Sequence, residues 1–223
     1  MTQDAQVVTP LGGRCRRKDA RPGELIDAAL DVFVERGYAA ARLEDIAQRA
    51  GVTKGTVYLY FTDKEELFEA VVQHTLGGMV ARGHLIAAGH TGRAADLLRE
   101  ILGHWWRDIV CDPRASALPK LLIAEACNFP RLARAYYQIV IEPGRALLRD
   151  VLQRGIERGE FRPVAVDNVV QFIIGPLVYR QCMQHSLQVA VPGMQLGDGD
   201  FLRSFEEHLL ASLAPTVAGT VAP

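Results

Sequence analysis

The chain has 223 residues, 49% of them hydrophobic, and a formal net charge of -1. That length holds a small domain and a larger one, each burying its own core. Near-neutrality excludes a protein that coats nucleic acid nonspecifically through positive charge spread over its whole surface.

Met1 to Pro10 carry no apolar core of the signal-peptide kind. No stretch is long and apolar enough to span a bilayer, so a cytoplasmic protein without a membrane partner is expected. The run RCRRKDAR at 14–21 is strongly basic. It reads either as an arm reaching phosphates or a minor groove, or as a solvated tail.

The most informative stretch is LEDIAQRAGVTKGTVYLYF at 43–61. Leu43, Ile46, Ala47 and Ala50 recur on one face at helical spacing, and Val57 and Phe61 repeat the i, i+4 apolar step after a break. Gly51 follows the last apolar residue of the first helix, where a chain leaving a helix favours positive φ. Thr53 is placed to cap the second helix by accepting an orphan amide near Thr56. With Val57 and Phe61 inward, a 100° step puts Gly55, Thr56 and Leu59 outward, toward a groove floor. Tyr58 and Tyr60 fall on the flanks, where phenolic hydroxyls reach backbone phosphates. Lys54 and Lys64 end the segment as mobile point charges. An ordinary helical hairpin has no reason to combine turn glycine, capping threonine, exposed tyrosines and basic flanks.

Beyond Lys64 the periodicity predicts six helices, over 65–88, 93–111, 116–127, 132–158, 167–187 and 200–213, with no strand-like alternation. Gly89, Gly92, Asp112-Pro113, Asn128-Phe129-Pro130, Gly159, Pro163 and the loop 191–199 punctuate them. Gly175-Pro176 should kink the fifth. Residues 214–223 lack a core-forming pattern.

The larger side chains His104, Trp105, Trp106, Phe129, Tyr136, Tyr137, Phe172, Tyr179 and Met183 are candidates to line an effector pocket, with helix core as the alternative reading. Glu125 lies inside the apolar run LLIAEAC. It would there meet a cationic ligand group, or else make a structural contact to Arg131, Arg134 or a helix amide. Four cysteines and six histidines are scattered without metal-ligand spacing. No nucleophile with a base, metal cluster or cofactor loop is visible, so neither an enzyme nor a cofactor is expected. Asp96 with Glu100, and Glu157 with Glu160, read as solvated faces.

The residues at 24–67 resemble the DNA-binding domain of the TetR family of bacterial transcriptional regulators. AALDVFVERGYAAARLEDIAQRAGVTKGTVYLYFTDKEELF carries its Gly-aromatic pair, then DIA, AGV, KGT, an aromatic run and KEEL. Carried over by position, the resemblance implies DNA contacts at Thr53, Lys54, Gly55, Thr56, Tyr58, Leu59, Tyr60 and Lys64. Arg42 departs from the family's Ser or Thr; an arginine cannot cap a helix but can meet a phosphate or a guanine edge. Leu59 replaces a frequent aromatic or histidine and offers only an apolar face, for example to a thymine methyl.

The run LLIAEACNFPRLARAYYQIVIEPGRALLRDVLQRGIERGEFRP is similar to the effector domain of that family. The resemblance implies an all-α fold: an N-terminal three-helix helix-turn-helix domain plus a six-helix C-terminal effector-binding and dimerisation domain. The expected divisions are a basic leader at 1–20, the reading domain at 21–66, the effector domain at 67–213 and a tail at 214–223. The last two helices would pair with their copies in a four-helix interface. Gln171, Ile174, Val178, Cys182 and His185 form a stripe suited to it, joined by Phe201, Phe205 and Leu209, with intradomain core as the alternative. A palindromic operator needs reading heads about 34 Å apart, which a twofold axis supplies. The expected partners are therefore double-stranded operator DNA, a second copy of the chain and a small-molecule effector. The implied mechanism is a repressor released by a hydrophobic or amphipathic effector that tilts the helix 65–88. A DNA reader without a ligand and an all-helical enzyme are the other classes weighed.

Overall fold

The computed structural model describes residues 22–196 and 200–215. The basic run 14–21 and most of the expected tail lie outside them. Among the described residues every regular element is helical.

Helix α1 (Pro22–Ala40) buries Leu25, Ala28, Ala29, Val32 and Phe33, the i, i+3, i+4, i+7, i+8 stripe of a helix with one core-facing side. Helices α2 (Leu43–Arg49) and α3 (Lys54–Tyr58) follow, then α4 (Lys64–Val72). Asp63 caps α4 by accepting from the Glu66 amide at 2.7 Å, and the Glu66 carboxylate reaches back to the Thr62 amide at 2.6 Å. These crossed bonds satisfy amides at the entry of the helix.

Two long rods organise the remainder. The first runs from α4 through a π-turn at Gln73–Gly77 into α5 (Gly78–Gly89). The second joins α8 (Pro130–Tyr136), a π-turn at Tyr137–Ile141 and α9 (Glu142–Glu157). The rods touch where Gly77 meets Ile139: a Cβ on Gly77 would stand 2.8 Å from the Ile139 Cγ2, so only glycine permits this approach. Around them lie α6 (Ala94–Trp105) with a π-turn at Trp106–Val110, α7 (Leu118–Glu125), α10 (Val166–Gln184), the short α11 (Leu187–Ala190) and α12 (Phe201–Leu213). The π-turn at Tyr137–Ile141 ends two residues before Pro143. A proline there removes an intrahelical hydrogen bond and crowds the preceding turn, which widens to accept it. Helix α10 continues through Gly175-Pro176 to Gln184.

The buried side chains do not divide at residue 66. One core unites Leu25, Phe33, Ile46, Val57, Leu67 and Phe68 of the reading head with Ile109, Leu118, Leu122 and Leu132 of the following helices. Tyr38 stands at its centre, edge-on to Phe68 at 5.0 Å and to Phe129 at 4.7 Å. A second core gathers Leu97, Leu98, Leu102, Leu148, Val151, Leu152, Ile173, Leu177 and Leu213 from α6, α9, α10 and α12. The expectation of a self-contained reading-head core is thus corrected: α7 and α8 complete it, because so small a head buries too little area alone.

Candidate DNA-reading surface and effector cavity

The turn between α2 and α3 has the form that the residues dictate. Gly51 adopts φ 71°, a conformation costly for any side chain with a Cβ. The Thr53 hydroxyl accepts from the Thr56 amide at 3.2 Å. Val57 and Phe61 point into the core. The opposite side is left open: Leu59 is 80% exposed, Tyr58 48% and Tyr60 41%, with Gly55 also exposed and Thr56 half-buried. Folding has no use for these side chains, since the core beneath them is already complete.

The cations around this surface differ in their freedom. Arg42 begins α2 with no side-chain cap bond and is exposed without an ion pair among the described residues. Lys54 lies 2.5 Å from the Glu44 carboxylate and 5.6 Å above the Tyr58 ring, on an exposed face where a phosphate can compete for it. Lys64 corrects the expectation of a mobile charge. Its ammonium donates to the carbonyls of Tyr38 at 2.8 Å, Ala39 at 3.2 Å and Ala41 at 3.1 Å, and sits 4.4 Å over the Tyr38 ring. A cation satisfies the unpaired carbonyls where a helix ends, and burial holds this amine below its ordinary pKa. Lys64 therefore fixes α4 against the end of α1.

Arg131 makes a comparable link in the other direction. From the first turn of α8 its guanidinium reaches Asp63 and Glu65 at 3.1 Å and Glu69 at 2.8 Å. The start of the second rod is thereby tied to the start of the first.

The expected effector-pocket residues are dispersed. His104 is buried and donates to the Met79 carbonyl at 3.2 Å, with Asp108 3.1 Å from its other nitrogen. Trp105 packs against both cores, Trp106 stacks on Phe201 at 5.7 Å, and Phe129 completes the reading-head core. Tyr137 is exposed and donates to Glu142 at 3.2 Å; Phe172 and Tyr179 are exposed on α10, and Met183 is half-buried there. Glu125 is half-buried and accepts from the Asn128 amide at 3.4 Å, not from Arg131 or Arg134. Its place in an apolar run misleads, because the last turn of α7 lies at the rim.

Only Tyr136 of that set lines the apolar cavity, a space of about 370 Å³ bounded by Ile123, Tyr136, Ile141, Arg145, Gln171, Ile174, Gly175 and Val178. Burial pushes the Tyr136 phenol up to about 12. The π-turn explains the selection. In a regular α-helix, residues 136 and 141 diverge by about 140°, whereas the extra residue per π-turn brings them into register. Tyr137, which an α-period aligns with Ile141 and Arg145, turns outward instead. Arg145 itself was missed, although it follows Ile141 by one regular turn.

Part of the stripe expected to face a partner chain borders the same cavity. Gln171, Ile174 and Val178 line it, and Cys182 is half-buried. His185 meets the Ser116 hydroxyl at 2.7 Å. Ser116 spends its own proton on the Asp112 carbonyl, so the imidazole donates to it. On α12, Leu209 is buried, and Phe201 and Phe205 stack within the chain at 6.1 Å, with Arg180 over the Phe201 ring. A larger cleft of about 430 Å³ beside α5 is lined by His74, Arg82, Arg107, Asp108 and Asp112. Its charged walls suit it less to an apolar guest. Among the described residues no cluster of His, Cys, Asp or Glu could hold a metal ion, and no helix is long and apolar enough to cross a membrane.

A capped second helix with an uncommitted aromatic front, carried on a rod that runs into a helical body with a cavity, defines a helix-turn-helix transcriptional regulator. The family model described as bacterial regulatory proteins, tetR family, matches residues 25–71, and that of the tetracyclin repressor-like C-terminal domain matches residues 89–190. The chain is 28% identical over 211 residues to the HTH-type transcriptional repressor KstR2 of Mycobacterium tuberculosis, covering 79% of this chain and 94% of that one. It is 31% identical over 156 residues to the HTH-type transcriptional regulator YfiR of Bacillus subtilis, covering 66% and 71%. The fold is also that of the transcriptional regulator FadR from Bacillus subtilis in complex with stearoyl-CoA, with TM-score 0.72 at 22% identity over 86% of this chain and 100% of that one. The protein belongs to the TetR family and is a DNA-binding transcriptional regulator.

Proposed function

We propose that the chain acts in the cytoplasm as a homodimeric repressor that holds a palindromic operator and leaves it when a small hydrophobic or amphipathic effector enters the 370 Å³ cavity. The observation that carries DNA reading is the exposed front of α3, where Tyr58, Leu59 and Tyr60 stand clear of a finished core. Thr56, Gly55 and Leu59 meet base edges, while Thr53, Lys54, Tyr58, Tyr60 and Arg42 meet phosphates and set the register. Lys64 positions this surface from behind through its three carbonyl bonds.

Dimerisation is supported by Phe172 and Tyr179, 69% and 62% exposed and two helical turns apart on α10. A pair of large apolar rings on one face is a recognised mark of an interface. These rings lie about a quarter-turn around the same helix from Gln171, Ile174 and Val178, and this face makes the contact.

Coupling runs along the second rod. Tyr136, Ile141 and Arg145 form one wall of the cavity, and Arg131 on the same rod grips Asp63, Glu65 and Glu69 at the root of the first. An effector that binds a shifted rod more tightly changes the separation of the two heads; a hundredfold preference is about 2.7 kcal/mol.

Footprinting on the DNA upstream of its own gene tests the reading. A protected inverted repeat is expected, with Thr56→Ala changing base preference and Tyr58→Phe weakening all sites alike. Folded protein that protects no inverted repeat would refute it.

A further inference from the structure

Resting on the cavity assigned above as the effector site, we infer that the effector is an organic anion with an apolar body, its acid group held by Arg145. Five of the eight lining residues, Ile123, Ile141, Ile174, Gly175 and Val178, present only carbon or backbone to the space. Arg145 is the single charged residue among the eight. Its guanidinium makes no hydrogen bond or ion pair with any described residue, and its Nε is buried without a partner. Leaving a buried donor of a charged group unsatisfied is costly.

Glu142 and Asp167 lie near enough to act on Arg145 through space, but neither hydrogen-bonds to it. The neighbouring carboxylates of Glu142 and Asp167 are both engaged by Arg149, at 3.1 Å and 2.7 Å, and Glu142 also accepts from Tyr137. A direct hydrogen-bond partner for the Arg145 guanidinium therefore has to come with the occupant. Carboxylate and phosphate oxygens match a planar fork of N–H donors, which a point cation would not. Tyr136 and Gln171 add further polar groups to the same wall, and the phenol keeps its proton and hence its capacity to donate. The apolar remainder takes the body of the guest. Glu125, one candidate for meeting a cationic ligand group, lies outside the cavity lining; the site selects negative charge, not positive.

Three probes with one tail and different heads, decanoate, decanol and decylammonium, titrated calorimetrically into the full-length protein, test the assignment. Decanoate should bind at least about tenfold more tightly than the other two, the scale of one charge-assisted pair. Arg145→Gln should erase that preference while decanol binding stays within about twofold, and Arg145→Lys should keep part of it. Ile174→Trp, which fills the cavity, should abolish both decanoate and decanol binding. Equal affinity for decanoate and decanol in the unmodified protein, or an undiminished preference in Arg145→Gln, would overturn the anion assignment and leave the cavity standing. Decanoate binding unaffected by Ile174→Trp would overturn the cavity itself, and the headgroup series on unmodified protein decides even where a variant does not fold.

Discussion

The reading head and the effector body solve opposite problems with the same element. In the head, short helices are closed by local bonds, Thr53 to the Thr56 amide and Asp63 to the Glu66 amide, so that a fixed set of side chains can be presented to an external partner. In the body, π-turns at Gln73–Gly77 and Tyr137–Ile141 interrupt the two long rods and a third at Trp106–Val110 ends α6, and the exposed set of side chains depends on where each extra residue falls. A surface built to meet an unchanging duplex is written locally. A cavity that admits a small molecule is written by how rods cross.

The sharpest way to break this contrast is through the shared core. Tyr38→Ala empties a site bounded by Phe33, Phe68 and Phe129 and should cost about 3–5 kcal/mol by urea denaturation. Because the core crosses from α1 into α7 and α8, tryptophan fluorescence from the body and DNA binding by the head should be lost in one transition. Two separate transitions would show the regions to be independent.

Lys64→Ala should cost about 2 kcal/mol, since three carbonyls lose a charged donor. It should leave the salt dependence of operator binding unchanged, whereas Lys54→Ala should lower its slope by about one. The reverse pattern would return Lys64 to the phosphate contacts. Thr53→Ala should cost about 1 kcal/mol, measured by thermal unfolding, through loss of the α3 cap.

Arg131→Gln should change stability least among these substitutions, because its ion pairs are largely solvent-exposed. Its effect should appear in coupling: operator binding retained and effector response diminished in a titrated gel shift. A normal response would remove this link from the switch.

A pH titration separates the regions further. Amide hydrogen bonds hold the Asp63 and Glu66 carboxyls below their ordinary 3.8 and 4.5. A carboxyl lowered on folding contributes stability above its unfolded value and loses it as pH falls through the folded one, so the cap of α4 should weaken below about pH 4. Burial lowers His185 from its ordinary 6.5, so the body should lose stability earlier, as pH falls below about 6.5 and the unfolded chain takes up a proton first. Circular dichroism melts across this range would expose the order.

The sequence alone determined the helical periodicity, the Gly51 turn, the Thr53 cap and, of the outward set Gly55, Thr56 and Leu59, the exposed Gly55 and Leu59, with Thr56 half-buried. Each depends on residues within a turn or two of one another, where spacing fixes geometry. It also carried the resemblance that the family matches later confirmed. Only the tertiary structure decided that Lys64 closes α1, that Tyr136 rather than Tyr137 faces the cavity, and that Phe172 and Tyr179 point away from it. Helix α10 has two apolar faces about a quarter-turn apart, and periodicity cannot say which meets its own chain. One inserted residue in a π-turn shifts every later side chain around the axis, an effect invisible to a 3.6-residue count.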